Sequence, residues 1–437
     1  MSATLLEAWN RTVTAAPDAI ALIDVGANRR WTRAEIEADA QTWQSRNGMA
    51  AAAQTVAFAD ANGAGWLTVF LGLLKSGAVA VPLDPGEPID AQRATAKKVG
   101  ATYLWSAGEL EALDARARPA RDRRRLLKLT SGSTGAPRAL RFTDEQMLAD
   151  GRQVCAGMDI RPDDINLGLI PWGHSYGLGN LIVPLLAQGT AILFGAAPLP
   201  HAIAAAIAEW RPTVFPAVPA LLRALAESSV ETSALTSLRT VISAGAPLGP
   251  EVARGFREKF QRRIHSFYGS SETGGITYDP TGECAETGRS VGYPLPGVQL
   301  RFGRGKRFSV ESAAVTGSGV FRPADRGELN DRGELVLLGR AGRMLKIAGR
   351  RLDPAEVERA LRSLPGVSDA FVDSHGERTD ALAAAVVSRD SAAALRELLR
   401  PRIASWKIPK KILALPEFPR TARGKADVRQ LRSLLRG

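Results

Sequence analysis

The chain has 437 residues, 45% of them hydrophobic, with a mean hydropathy of −0.08, enough for more than one ordinary globular domain around a sizeable core. Lys and Arg outnumber Asp and Glu by 57 to 45, a formal +12 that suits small anionic ligands, an acidic partner, nucleic acid or a membrane surface without choosing among them. Arginine patches at Arg121 to Arg125 and Arg420 to Arg423 lack interleaved aromatics and match no nucleic-acid-binding signature, the longest apolar runs are too short or too broken for a membrane span, and two distant cysteines, Cys155 and Cys284, suggest neither a disulfide framework nor a zinc site.

The N-terminus enters an amphipathic pattern at once, without the basic-then-apolar layout of a signal peptide, so a cytoplasmic location is the expectation. Leu5 to Asn47 reads as helix, a short strand Ala19 to Ile23, a turn, and a second helix entered at Thr32. Trp66 to Lys75 is helical and ends at Ser76-Gly77, and an apolar strand from Ala78 stops at Pro82 and Pro85. Helix, glycine stop and apolar strand together are the grammar of a doubly wound α/β sheet.

An apolar run then leads into Thr130-Ser131-Gly132-Ser133-Thr134-Gly135-Ala136-Pro137-Arg138. Hydroxyls and backbone N–H groups can converge on phosphate oxygens here, because Gly132 and Gly135 allow conformations that a Cβ would obstruct, and Arg138 can offset the remaining charge. This is neither a P-loop nor a dinucleotide-binding glycine turn, and composition alone would favour a surface Ser/Gly/Thr linker. Asp144 to Met158 reads as a helix, and Ile165 to Ile170 as a strand delivering Pro171-Trp172-Gly173-His174-Ser175-Tyr176-Gly177 to the carboxyl edge, where open α/β sheets bind ligands. Trp172 and Tyr176 are expected to wall an apolar pocket beside His174.

The pattern repeats with helices Ala202 to Trp210, Pro219 to Glu227 and Glu251 to Phe260. The strand Leu238 to Ser243 ends in Ala244-Gly245-Ala246-Pro247, small enough for a flat ring to lie against the backbone, and Ile264 to Phe267 delivers Tyr268-Gly269-Ser270-Ser271-Glu272. A carboxylate beside a triphosphate site is a natural Mg²⁺ ligand, since Mg²⁺ takes oxygen donors and is shared between one or two carboxylates and the phosphates. Past Leu300 the chain turns to short hairpin strands, and from Met344 to a compact α+β module whose helix starts at Asp353-Pro354. The domain boundary is placed near Arg340, giving residues 1–340 and 341–437.

Taken in order, the Thr130–Arg138 loop, Tyr268 to Glu272, Asp325, Gly339-Arg340, Gly349-Arg350-Arg351-Leu352 and Gly424-Lys425 resemble the motifs of the adenylate-forming superfamily, which contains acyl- and aryl-CoA synthetases, peptide-synthetase adenylation domains and luciferases. Leu74 to Pro85 looks like another of its core motifs. The resemblance implies a large N-terminal multi-sheet α/β domain and a small mobile C-terminal α+β lid, with carboxylate and ATP giving acyl-AMP and pyrophosphate before a thiol attacks the acyl carbon. It further implies that Thr130, Ser131, Gly132, Ser133, Thr134, Gly135 and Arg138 hold the β- and γ-phosphates. Gly245, Ala246 and Pro247 with Tyr268 and Gly269 would form the adenine site, Ser271 would touch the α-phosphate and Glu272 would bind Mg²⁺. Asp325 would accept from both ribose hydroxyls with Arg340 nearby, Lys425 would stabilise charge building during adenylation, and Gly349 would line the pantetheine tunnel in the second step.

Several positions depart from the family pattern. Arg138 stands where Lys is usual, Pro323-Ala324 precede Asp325 where Thr-Gly is usual, and Gly342 occupies the lid hinge in place of Asp or Lys. His174 resembles the gating position of acyl- and aryl-acid ligases, and no aspartate suggests itself as a partner for a substrate ammonium, so an uncharged aryl or acyl carboxylic acid is expected. Coenzyme A is the first choice of acceptor and the phosphopantetheine of an acidic acyl carrier protein the second. A homologue that binds a nucleotide or acyl-AMP without turnover is the reading from a different class.

Overall fold

The computed structural model describes residues 4–113, 124–131, 137–340, 345–347, 350–374, 381–421 and 426–436. Two large sheets organise the first part of the chain. The nine-stranded sheet runs, edge to edge, Tyr293–Pro294, Gly274–Tyr278, Ile264–Ser270, Thr240–Ser243, Val214–Ala217, Ile165–Leu167, Ala191–Phe194, Ile20–Asp24 and Arg29–Thr32. Its interior pairings are parallel and only the edges turn antiparallel, so six strands end on one rim. These interior strands are short and almost continuously apolar, as strands covered on both faces must be.

The six-stranded sheet has the order Glu109–Ala112, Tyr103–Ser106, Thr55–Phe58, Val79–Pro82, Arg124–Ser131 and Pro137–Thr143. Between the sheets lies the largest apolar cluster, in which Trp9, Trp66, Phe58, Phe70 and Trp172 are all fully or nearly fully buried. The helix Ala64–Lys75 packs there on several sides, which its sequence Ala-Gly-Trp-Leu-Thr-Val-Phe-Leu-Gly-Leu-Leu-Lys foreshadows: apolar residues surround it and only the final lysine carries charge.

Local chemistry sets the helix bounds. Asp144–Met158 starts where Thr143 accepts from the Gln146 N–H while the Gln146 side chain accepts from the Thr143 N–H, a reciprocal cap that satisfies two donors otherwise left over. Pro219–Glu227 and Pro250–Phe260 begin on proline, whose missing N–H costs nothing at that position.

Toward the C-terminus a three-stranded sheet of Asp369–Ser374, Leu382–Val387 and Lys411–Leu415 carries helices on both faces. Val372, Leu382, Ala384 and Val386 face Val357, Leu361, Leu395 and Leu399 of two helices, while Phe371, Ala383, Ala385 and Val387 face Leu431 and Leu435 of the last one. The period-two alternation of the strands thus feeds two separate cores. Arg223, on the helix Pro219–Glu227, donates 2.9 Å to the Ser368 hydroxyl, and Arg326 pairs with Asp353, so polar contacts among the described residues join this module to the larger body. Among the described residues no helix is long and apolar enough to cross a membrane.

Candidate active site

The parallel pairing of the large sheet brings the expected site loops together. Reading along the rim, Ile165–Leu167 leads to His174, Val214–Ala217 to Val218, Thr240–Ser243 to Gly245-Ala246-Pro247, and Ile264–Ser270 to Glu272. These strands are immediate neighbours, so loops 25 to 98 positions apart in sequence share one edge. Gly245, Ala246 and Pro247 are exposed, and a side chain added at Gly245 would meet nothing nearer than Val218 Cγ1 at 3.9 Å, which leaves the flat face open for a ring.

Paired strands flank the segment expected to hold phosphates. Arg124–Ser131 pairs antiparallel with Pro137–Thr143, and Thr130 lies directly opposite Arg138, one partly buried and the other exposed. The strand Pro137–Thr143 is absent from the sequence reading, which passes from loop to helix. Gly132, Ser133, Thr134 and Gly135 lie outside the described residues, as do Gly342, Gly349 and Lys425; Ser131 and Arg340 are placed by their strands.

Glu272 sits in the turn between Ile264–Ser270 and Gly274–Tyr278, half-buried. The turn is pinned by Thr273 Oγ1, which accepts from the Ser270 N–H at 3.3 Å and bonds the Ser270 hydroxyl at 3.1 Å. A single residue then ties it to the phosphate hairpin. The Thr316 N–H donates to the Glu272 carbonyl at 2.9 Å, and the Thr316 hydroxyl donates to the Arg141 carbonyl at 2.7 Å. Arg141 stands three residues beyond Arg138 on the same strand, about 10 Å along at the usual strand rise, so Glu272 and the Thr130 hairpin are held close to one another. Thr316 carried no signal in the sequence.

The ribose end is equally compact. Tyr268 Oη donates to Asp325 Oδ2 at 2.9 Å, and Asp325 is the cross-strand partner of Arg340 in the pairing of Asp325–Leu329 with Leu335–Arg340. The three residues named for the nucleoside therefore converge although 57 positions separate the first pair.

At the acid end one expectation fails. Trp172 is fully buried, with its ring edge-on to Trp66 at 5.9 Å and Phe194 at 5.5 Å, so it belongs to the core between the sheets and not to a pocket wall. An indole bounded by two apolar runs was drawn inward by its area. Tyr176 does lie at the rim, its hydroxyl 3.4 Å from the Ala217 and Ile242 carbonyls and its ring 5.8 Å from Phe267. His174, half-buried, precedes the short helix Ser175–Gly177, and its carbonyl accepts from the Leu178 N–H at 2.8 Å. The loop is braced from the other sheet by Asn62, whose amide donates to the Ile170 carbonyl and accepts from the Trp172 N–H, both at 2.9 Å. Asn62 was also missed, because its partners lie more than a hundred positions away.

Among the described residues no group of three or more His, Cys, Asp or Glu could cage a metal. A carboxylate such as Glu272 is a ligand type that fits Mg²⁺, which keeps waters and substrate oxygens for its other positions.

Comparison with known proteins identifies the family. Residues 108–303 match the model of the AMP-binding enzyme family, and residues 356–425 that of the AMP-binding enzyme C-terminal domain. The chain is 30% identical to an indoleacetate–CoA ligase of Aromatoleum aromaticum over 344 residues, covering 70% of this chain and 67% of that one. It is 27% identical to 4-coumarate–CoA ligase 2 of Oryza sativa subsp. japonica over 351 residues, 71% of this chain and 62% of the plant protein, so the match spans less than two thirds of that relative's length. The crystal structure of ATP-bound MatB from Rhodopseudomonas palustris superposes with a TM-score of 0.83, covering 99% of both chains at 22% identity, a likeness of fold. The chain belongs to the AMP-binding enzyme family, within the adenylate-forming superfamily.

Proposed function

We propose that this chain is an ATP-dependent ligase that activates an aryl or acyl carboxylic acid as acyl-AMP, releasing pyrophosphate, and transfers the acyl group to the thiol of coenzyme A. The observation that carries the reading is the pair of bonds from Thr316, which fastens the Glu272 turn to the phosphate hairpin. Relatives named as indoleacetate– and 4-coumarate–CoA ligases support the acid class and the acceptor.

In the first step a carboxylate oxygen attacks the α-phosphorus of ATP, the bond to the bridging oxygen breaks, and pyrophosphate leaves with that electron pair. Negative charge grows on the nonbridging oxygens, so the chain must place cations and donors there and hold them still. Thr130, Ser131, Gly132, Ser133, Thr134, Gly135 and Arg138 bind the departing phosphates. Gly245, Ala246, Pro247, Tyr268 and Gly269 seat the adenine, while Asp325, oriented by the Tyr268 hydroxyl and flanked by Arg340, accepts from the ribose. Ser271 contacts the α-phosphate. Glu272 would hold Mg²⁺, which would supply charge neutralisation on the triphosphate. Lys425 completes the cation set from residues 341–437, which we assign as a lid on the body formed by 1–340. His174 closes the acid site. In the second step the thiol sulfur attacks the acyl carbon past Gly349, the thiol proton is lost, and AMP departs.

A second acceptor is favoured by one observation: residues 341–437 carry 20 Lys and Arg against 11 Asp and Glu, most of the chain's net charge. An acidic carrier protein bearing phosphopantetheine would be drawn to that surface. We assign a cytoplasmic location, the compartment in which ATP and CoA are available. Acid-dependent pyrophosphate exchange across a panel of aryl and acyl acids, followed by thioester formation with CoA or with a phosphopantetheinylated carrier, tests the reading. Exchange with an acid and thioester with CoA is expected; no exchange with any acid would favour a binding homologue without turnover.

A further inference from the structure

We infer that Asp150 is a positioning residue that sets the supports of the Glu272 turn and of the His174 loop in register. Asp150 lies on the helix Asp144–Met158 and is 3% exposed; Lys128 lies on Arg124–Ser131 and is 1% exposed. Lys128 shares a strand face with Thr130, two residues on, and its ammonium stands 4.0 Å from the centre of the Phe142 ring on the partner strand. Asp150 Oδ1 accepts from the Gly275 N–H at 2.9 Å, in the strand that forms a hairpin with the one delivering Glu272.

The carboxylate is wedged against two glycines as well. A Cβ at Gly274, where φ is +69°, would fall 2.2 Å from Asp150 Oδ1, and one at Gly179 would fall 2.7 Å from Oδ2. Gly179 lies in the helical segment just beyond His174 and Tyr176. One buried carboxylate therefore touches the support of the Glu272 turn and the support of the His174 loop. Burial pushes the Asp150 carboxyl up and the Lys128 ammonium down, while each favours the charged form of the other. Two such buried charges are a poor way to gain stability, since apolar residues of similar volume serve as well, but the directional bond from the Gly275 N–H to Asp150 fixes a relative placement.

The inference rests on the adenylation reading, and its test separates the two. Lys128→Met and Asp150→Leu, singly and together, are compared with the parent by thermal unfolding, by calorimetric binding of MgATP, and by pyrophosphate exchange. Each single variant leaves a buried charge uncompensated and is expected to lower Tm. The double variant is expected to recover Tm while binding MgATP at least tenfold more weakly than the parent, and Asp150→Glu on the parent to retain less than a tenth of its kcat/KM. A double variant that recovers both Tm and MgATP affinity would overturn the positioning role and leave a structural pair, and so would a parent that does not bind MgATP. A double variant that stays unfolded shifts the decision to Asp150→Asn, whose amide keeps the volume: unchanged affinity at unchanged Tm overturns the proposal, and weakened affinity supports it. If the parent binds MgATP but exchanges pyrophosphate with no acid, the adenylation reading fails while the binding comparison still decides this one.

Discussion

Replacing Asn62 by leucine keeps the volume of the side chain and removes both bonds that hold the acid loop. The Ile170 carbonyl and the Trp172 N–H, each accepting or donating at 2.9 Å in the native protein, belong to residues 3% and 0% exposed and would lose their partner in a nearly dry site. A buried polar group left without a partner costs about 1–3 kcal/mol, so two give about 2–6 kcal/mol. Asn62 itself is only half-buried, so water can recover part of this, and about 2–3 kcal/mol is the figure to carry forward. If the loop relaxes instead of the whole fold, that energy appears as a displaced His174, and roughly a 30- to 150-fold loss at about 1.4 kcal/mol per decade is expected in kcat/KM for the acid. The KM for ATP should move by less than about threefold, because the Asn62 hydrogen bonds go to Ile170 and Trp172 and, among the described residues, none goes to the strands Arg124–Ser131 and Pro137–Thr143. Steady-state pyrophosphate exchange with each substrate varied in turn measures both. Equal losses for acid and ATP, or acid kinetics like the parent's, would refute the reasoning.

Other consequences are open to measurement. Tyr268→Phe keeps the ring but deletes the 2.9 Å bond to Asp325; discounted for the partial exposure of both groups, about 1 kcal/mol should appear as a roughly fivefold rise in the KM for ATP with acid kinetics unchanged. Lys425→Ala should abolish acyl-AMP formation yet preserve thioester formation from preformed acyl-AMP, assayed by chromatography; intact adenylation would remove Lys425 from the site. Gly342→Pro should depress thioester formation more than adenylation, since a proline at the hinge restricts lid rotation, and equal loss of both would count against a moving lid. Burial pushes the Cys155 thiol up to about 12 from its ordinary 9, so the folded protein holds that proton where the unfolded chain loses it. Its contribution to stability is therefore full below pH 9 and is lost as pH rises toward 12, and denaturant titrations of Cys155→Ala should show a shallower decline over that window than the parent.

Where sequence and structure agree, the information was local. Asp144–Met158 and Pro219–Glu227 run between the bounds their sequences predict, because a Thr-x-x-Gln cap and a leading proline mark their starts within a few positions. The rim was legible in the same way: Gly245 to Pro247 and Tyr268 to Glu272 each follow an apolar strand, and parallel neighbours put their ends on one side. Two things stayed hidden. The strand Pro137–Thr143 lacks a strict polar–apolar alternation, with Arg138 and Arg141 three positions apart, and begins on a proline beside a glycine-rich loop, which reads as punctuation. The residues that brace the site, Asn62, Thr316, Lys128 and Asp150, are polar side chains whose partners were brought near by folding; nothing in their immediate neighbours distinguishes them from surface residues. Trp172 shows the converse, a rim residue by position that its own area drew into the core.

The central claim is that a carboxylate oxygen bonds to the α-phosphorus of ATP within this crevice. Supplying the acid with both carboxyl oxygens as ¹⁸O and analysing the products by mass spectrometry tests it most directly. One labelled oxygen in AMP, with none in pyrophosphate, is the predicted result. Label in inorganic phosphate or pyrophosphate, or AMP released without label, would contradict it.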